Sequence, residues 1–352
     1  MATIKDVARM AGVSIGTVDR VLNNRGRVAR ETFRRVQQAI EELNYSPNLT
    51  ARHLSMAKAI NFGVMMPRVD QDSGYWAMPQ SGIARAARDL AFHKVSAQHF
   101  YFDRHCPDSF ERCCRKVRSA ELDGLLIAPV LSRPAQRFLD TMTDENHTAV
   151  VLFDSRVEAD GRYTFVGQDP FDSGVVAGKM LRILMRTTGT VVVITVGTDD
   201  YHLERRAEGI QHFFVDTPAV RIEQISLVEG PGIDPNAELT RRLPRDLAGV
   251  EGIFVTNALS HIMVEYIQKQ GEARHIPLIA YDLIPQNIAY LREGKIDFVI
   301  SQEPETQGYE ALYELYRQVV LGSAPAETIG MPIELVTREN LDSYLNARPD
   351  SL

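Results

Sequence analysis

Two sets of side chains in this sequence have types and spacings that could do chemistry. The first set follows short apolar runs. Asp154 comes directly after the run 149–153, Asp282 after 278–281 and Gln302 after 298–301, while Asn257 stands two residues beyond 252–255. Pro67 and Pro129 mark two further run ends. Carboxylates accept hydrogen bonds and amides both accept and donate, so such a set suits a ligand rich in hydroxyl groups, with an aromatic ring covering its apolar face. Singly, Asp154 or Asp282 could equally cap a following helix; the shared position at run ends favours a common site. The second set lies near the N-terminus, where Ser14 precedes Ile15, Gly16, Thr17 and Arg20. A guanidinium pairs bidentately with guanine, an isoleucine packs on a thymine methyl, and a glycine admits close backbone approach to DNA.

Catalysis is not expected. The chain has no G-x-x-x-x-G-K-[ST] or G-x-S-x-G motif and no paired base and nucleophile, so no catalytic residue and no cofactor is assigned. His99, His105, Cys106, Cys113 and Cys114 cluster in sequence, but their spacing fits no closed zinc pattern, and Cys113 and Cys114 are expected on different faces of a helix.

The elements that must position the first set alternate regularly. Strand-length apolar runs are expected at 60–66, 95–102, 124–130, 149–153, 164–167, 190–196, 222–228, 252–255, 278–281 and 298–301. Helical patterns fill the gaps, as at 80–92, 172–185, 203–215 and 306–320. Unbroken apolar strands alternating with helices imply buried parallel sheets. That many strands imply two α/β lobes, with a ligand at the carboxyl ends of the strands in the cleft between them.

The second set sits in a small all-α head. Ile4, Val7, Ala8 and Ala11 recur at helical spacing after Thr3, with Asp6 as a short-armed capping partner. Gly12 ends that helix, Val13 plugs the turn, and Ser14 caps a second helix buried through Val18, Val21 and Leu22. A loop at Asn23, Asn24 and Gly26 leads to a third helix with Phe33, Val36, Ile40 and Leu43 on its apolar face, ended before Pro47. Residues 48–54 then make a short, helix-compatible segment that would be marginal alone.

Charge separates the same two parts. Residues 1–58 hold ten Lys/Arg against five Asp/Glu, a balance of +5 in a chain of net charge −7, which leaves −12 for the remainder. A basic head on an acidic body points to a polyanion as the head's partner. No run of about eighteen apolar residues is present, so no membrane helix is expected. The three cysteines form no disulfide framework and the start carries no secretory signal, which together imply the cytoplasm.

The head resembles that of the lactose-repressor (LacI) family of bacterial transcription regulators. The resemblance rests on Asp6-Val7-Ala8, Ala11-Gly12-Val13-Ser14, Thr17-Val18, Arg20-Val21, Asn23, Glu42-Leu43-Asn44-Tyr45 and Pro47-Asn48. It implies a homodimer gripping a near-palindromic double-stranded operator, with Ser14, Ile15, Gly16, Thr17, Arg20 and Asn23 at the major groove. It also implies a hinge helix, with Asn48 and Ala51 at the DNA and Leu54 prying open a minor-groove step. Two positions depart from the family pattern. Asp19 replaces a usual serine and must meet a cytosine amino group, orient a cation or point away. Ala29 replaces the usual Ser or Thr cap of the third helix, at a cost on the order of 1 kcal/mol.

The body resembles the type I periplasmic sugar-binding fold that this family uses as its effector domain. The shared motifs are Phe153-Asp154, Arg206-Ala207-Glu208-Gly209, Thr256-Asn257, Tyr281-Asp282 and Ser301-Gln302-Glu303-Pro304, with Gly74-Tyr75-Trp76 where aromatic residues line the first lobe. The resemblance implies that Tyr75, Trp76, Asp154, Arg206, Asn257, Asp282 and Gln302 bind a sugar or sugar derivative. The expected organisation is a helix-turn-helix domain over 1–46, a hinge over 47–59, a two-lobed effector domain over 60–345 and a tail over 346–352. The first lobe takes 60–162 and 303–322, and the second takes 163–302 and 323–345. The tail region from Asn340 lacks a sustained heptad, so no tetramerising coiled coil is expected. The expected function is a ligand-controlled transcriptional regulator; the alternative is the solute-binding component of a transport system.

Overall fold

The computed structural model of the chain describes residues 4–22, 28–43, 59–143, 148–158, 163–197, 200–228, 235–243, 247–272 and 274–347. The chain divides into two compact units, Met1–Lys58 and Ala59–Leu352.

In the first unit, helix α1 (Ile4–Ala11) ends at Gly12, whose φ of 65° is the left-handed conformation glycine adopts without strain. Helix α2 (Ile15–Leu22) starts at Ser14, whose Oγ accepts from the Thr17 amide at 3.2 Å, the expected N-cap. Helix α3 (Arg30–Glu42) has Ala29 at its N-cap position with no side-chain cap bond. Val7, Ala8, Ala11, Val18, Val21, Val36 and Ala39 form the core. Phe33 was expected in that core and is instead 38% exposed. Ala39 takes the buried place, because the face of α3 that meets α1 and α2 runs through Val36 and Ala39, with Ile40 and Leu43 partly covered. Asn23, Asn48, Ala51, Leu54 and nearly all of the expected hinge lie outside the described residues.

In the second unit, the first part of the chain forms β1 (Ile60–Pro67), α4 (Ala77–Asp89), β2 (Val95–Phe102), α5 (Pro107–Ser119), β3 (Gly124–Ile127), α6 (Ser132–Thr143), β4 (Ala149–Phe153) and β5 (Thr164–Gly167). The next part forms α7 (Pro170–Leu184), β6 (Thr190–Val196), α8 (Tyr201–Phe214), β7 (Arg221–Leu227), α9 (Pro235–Arg242), β8 (Val250–Val255), α10 (Ser260–Gln270), β9 (Leu278–Tyr281), α11 (Pro285–Arg292) and β10 (Phe298–Ser301). The chain closes with α12 (Pro304–Val319), β11 (Thr328–Gly330), β12 (Glu334–Val336) and α13 (Leu341–Asn346).

Two six-stranded sheets result, ordered β11-β5-β4-β3-β1-β2 and β12-β10-β9-β8-β6-β7. Position by position the two orders correspond, so each lobe repeats the other's layout. Pairing is parallel except between β10 and β12. Strands β1, β3, β4, β8 and β9 are almost wholly buried, as apolar strands covered on both faces must be. The short strands β11 and β12 were not anticipated, because three residues carry no readable alternation. The expected lobe boundaries shift as well. Strand β5 pairs with β4 and β11 pairs with β5, so both stay in the first sheet, and the chain crosses at Gln168, at Gln302 and at residues 331–333.

Paired glycines bring helices close in each lobe. A Cβ on Gly82 of α4 would collide with the Glu305 carbonyl of α12, and one on Gly174 of α7 with the Arg206 carbonyl of α8. The second contact fixes the backbone from which Arg206 reaches the cleft.

Candidate functional site

Local sequence places each site residue where a strand ends or a helix begins. Strand β4 delivers Asp154 and β9 delivers Asp282, and both residues have left-handed backbones, at φ 66° and 61°. A non-glycine residue held there costs on the order of 1 kcal/mol and persists only where its surroundings demand it. For Asp282 the demand is visible: the Asn287 side-chain amide donates to the carbonyls of Ala258, Tyr281 and Asp282, at 2.9–3.0 Å. For Asp154, its backbone N–H donates to Gln307 Oε1 at 3.2 Å. Gln307 Nε2 in turn donates to the Gln302 carbonyl at 2.7 Å, tying the first-lobe strand end to the crossing.

All seven residues expected to bind an effector line one small cavity of about 20 Å³. Pro67 and Pro129 do not line it. Tyr75 donates a short hydrogen bond to Asp154 Oδ1 and accepts from Gln302 Nε2 at 3.0 Å. Gln302 Nε2 also lies 3.2 Å from Asp282 Oδ1. Arg206 donates to the Thr256 carbonyl at 2.8 Å and to Gln302 Oε1 at 3.0 Å, and its guanidinium lies flat on Tyr281, 3.6 Å above the ring centroid. Asn257 donates to the Val196 carbonyl at 3.0 Å and accepts from the Leu259 amide, which holds the turn after β8. Trp76 is buried, edge-on to Tyr75 at 5.1 Å and donating to Asp72 at 2.6 Å.

Four further residues line the cavity: Asp72, Arg104, His202 and Ala258. Residues 70–72 read as a plain loop in the sequence. The chain there forms a one-turn 3₁₀ helix, Asp72–Gly74, whose first two residues both have positive φ. That geometry turns Asp72 inward, where Arg104 pairs with Oδ2 while Oδ1 is buried without a protein partner. Arg104 also approaches Asp200 of the second lobe at 3.5 Å, and His202 Nδ1 stands 2.7 Å from Asp200. The Asp70-Gln71-Asp72 and Asp200-x-His202 patterns are common in surface loops, so sequence alone gave no signal for them.

Electrostatics follows from burial. Burial, opposed by Arg206 and reinforced by Asp154, pushes the Asp282 carboxyl up to about 7. Burial raises Asp154 too, against the pull of His202 and the Tyr75 hydrogen bond. Burial and the two carboxylates keep the Tyr75 phenol protonated, well above its ordinary range. Asp200 goes the other way: burial raises it, but His202, Arg104 and Arg206 outweigh burial and hold it below its ordinary value. Such a site offers fixed acceptors and a few fixed donors.

In the head, Ile15 is 44% exposed and Gly16 and Arg20 are also exposed, while Ser14 Oγ and Thr17 Oγ1 lie 2.9 Å apart. The outer face of α2 is therefore open to a partner. The Asp19 side chain lies outside what is described. Cys113 and Cys114, adjacent on α5, are both buried, and burial raises their thiols to about 11 and about 12. Among the described residues no helix is long and apolar enough to cross a membrane.

Residues 62–323 match the family described as periplasmic binding protein domain, and residues 3–48 match bacterial regulatory proteins of the lacI family. The chain is 31% identical over 182 residues to the HTH-type transcriptional repressor PurR of Pasteurella multocida, covering 51% of this chain and 52% of that protein. It is 35% identical over 127 residues to catabolite control protein B of Bacillus subtilis, covering 36% and 39%. These alignments span about half, or less, of the curated relatives. Among solved structures, a protein from Bacteroides fragilis assigned as a LacI transcriptional regulator superposes with a TM-score of 0.75 at 27% identity, over 82% of this chain and 100% of that one.

Proposed function

Since the chain belongs to the lacI family of bacterial regulatory proteins, with a periplasmic binding protein domain as its body, we propose that it is a sequence-specific DNA-binding repressor whose operator affinity is set by a sugar or sugar-like molecule in the cleft. The observation that carries this reading is the convergence of seven residues, scattered from Tyr75 to Gln302, on one polar cavity between matching lobes.

In this proposal α2 enters the major groove of operator DNA with Ser14, Ile15, Gly16, Thr17 and Arg20 foremost, and the hinge residues Asn48, Ala51 and Leu54 engage the minor groove. The working form is a cytoplasmic homodimer. The effector lies against Trp76 and Tyr75, donates hydroxyl protons to Asp154 and Asp282, and accepts from Arg206, Asn257 and Gln302. Closing the lobes around it changes the DNA affinity only by the difference in effector affinity between the two states. The solute-carrier reading leaves the head without a role, and no observation favours it.

Trp76 is the only tryptophan of the chain, so its emission reports on the cleft alone. The test titrates purified full-length protein with D-glucose, D-galactose, D-ribose and D-arabinose, following Trp76 emission and the melting temperature. One sugar should change the emission saturably and, at about 100 times its Kd, stabilise the fold by about 2.7 kcal/mol. Failure of every sugar to move either signal would contradict the effector assignment.

A further inference from the structure

We propose that the cleft selects against anions, so that its effector is an unphosphorylated, non-acidic sugar that brings hydrogen-bond donors. This rests on the sugar reading above and narrows it.

The argument starts from the charges at the cavity. Asp72, Asp154 and Asp282 line it, and Asp200 stands directly behind Arg104 and His202. Four carboxylates thus face two guanidiniums and the His202 imidazole. Arg104 is already committed to carboxylates. Arg104 pairs with Asp72 and reaches Asp200. Arg206 gives its two terminal nitrogens to two neutral groups, the Thr256 carbonyl and Gln302, and lies against the Tyr281 face, while its buried Nε has no protein partner. A phosphate or carboxylate drawn to Arg104 would take that cation from buried Asp72 and Asp200, and one drawn to Arg206 would meet Asp154 and Asp282 in the same cavity.

Backbone donors do not replace them. The start of α8 is where an anion would ordinarily be welcomed, but Asp200 stands at its N-cap and supplies a negative charge there already. His202 is turned to that same carboxylate through Nδ1.

What the site offers is acceptors. Asp72 Oδ1 is buried with no protein partner in a residue that lines the cavity, and two further carboxylates meet there from opposite lobes. Hydroxyl groups satisfy these acceptors without adding charge; a ligand ammonium would satisfy them with a charge of the favourable sign.

The experiment titrates full-length protein, by Trp76 emission and melting temperature, with D-glucose, D-galactose, D-ribose and D-arabinose. D-glucose 6-phosphate, D-ribose 5-phosphate, D-glucosamine and inorganic phosphate are titrated in parallel. The expected result is that each phosphate ester binds at least about 100-fold more weakly than its parent sugar, the size of a like charge in a partly desolvated site. D-Glucosamine should bind no more weakly than D-glucose. The paired Asp154→Asn and Asp282→Asn variant keeps the side-chain shapes and should narrow the gap between ester and sugar. An ester that binds as tightly as its parent sugar overturns the proposal while leaving the sugar reading intact. If no sugar binds, the sugar reading falls, and inorganic phosphate decides the charge inference. It should stabilise the doubly substituted variant more than the original chain, and equal or greater stabilisation of the original chain overturns it.

Discussion

Asp154 and Asp282 occupy the same structural position in two lobes. Each is the first residue after the fourth strand in its lobe's sequence order, each has a left-handed backbone, and each carboxylate is buried in the shared cleft. Tyr75 and Gln302 bridge them, through the Tyr75 bond to Asp154, the Gln302 bond to Tyr75 and the Gln302 contact with Asp282. Two buried acids linked in this way are poorly suited to a rigid core and well suited to holding a ligand.

Their burial has a measurable cost. The Asp282 carboxyl is protonated far more readily in the folded chain, with its pKa near 7, than in the unfolded chain at about its ordinary 3.8. Folding therefore loses stability as pH rises from about 4 to 7, and the loss is complete above pH 7, where the carboxylate is buried and ionised. Asp282→Asn removes that loss while still accepting from Gln302. Without sugar, the variant should melt at least about 2 °C above the original chain at pH 8, with the gap narrowing below pH 7 and closing near pH 4. Scanning calorimetry across that range checks it; a gap independent of pH counts against a raised Asp282.

Arg206→Lys keeps a cation but loses the flat fork that serves Thr256, Gln302 and the Tyr281 face together. Sugar affinity should fall by about 1–3 kcal/mol, since hydrogen bonds to a charged group are lost. Trp76 titration measures it, and unchanged affinity removes Arg206 from the ligand's contacts.

Gly174→Ala tests how Arg206 is placed. The added methyl has nowhere to go but into the Arg206 carbonyl, so α7 and α8 must part. Overpacking of this kind costs about 1–3 kcal/mol, visible in the melting temperature, and sugar affinity should fall with it. Full stability in the variant would show that the helices do not depend on this close approach.

Much of this arrangement was readable in advance. Long apolar runs bounded by turns gave the ten main strands, and the residues at their ends gave Asp154, Asn257, Asp282 and Gln302. Resemblance to known relatives was needed for Tyr75, Trp76 and Arg206, whose buried positions depend on the 3₁₀ turn at Asp72–Gly74 and on the α7–α8 contact. Asp72 and Arg104 escaped because each is brought to the cavity by a partner far away in the sequence, and loop composition says nothing about such partners or about the turn that sets His202 beside Asp200. Phe33 misled for a related reason: helical periodicity identifies an apolar stripe but not which edge of it the neighbouring helices cover.

In the proposed complex Arg20 reads a guanine. Arg20→Ala should narrow the preference between the selected operator and a variant with one altered guanine by about 1–3 kcal/mol. Anisotropy titrations of the two duplexes check this, and an unchanged preference assigns the readout elsewhere on α2.

The most direct test joins the two ends of the proposal. A duplex selected from random DNA is titrated with the full-length chain at several salt concentrations, with and without a saturating amount of the sugar that moves Trp76. The affinity should fall steeply as salt rises, and the sugar should change it by at least about fivefold, the lower range of coupling between linked sites. Recovery of no specific duplex, a flat salt profile, or the same affinity with and without the saturating sugar would contradict the claim that this cleft governs DNA binding.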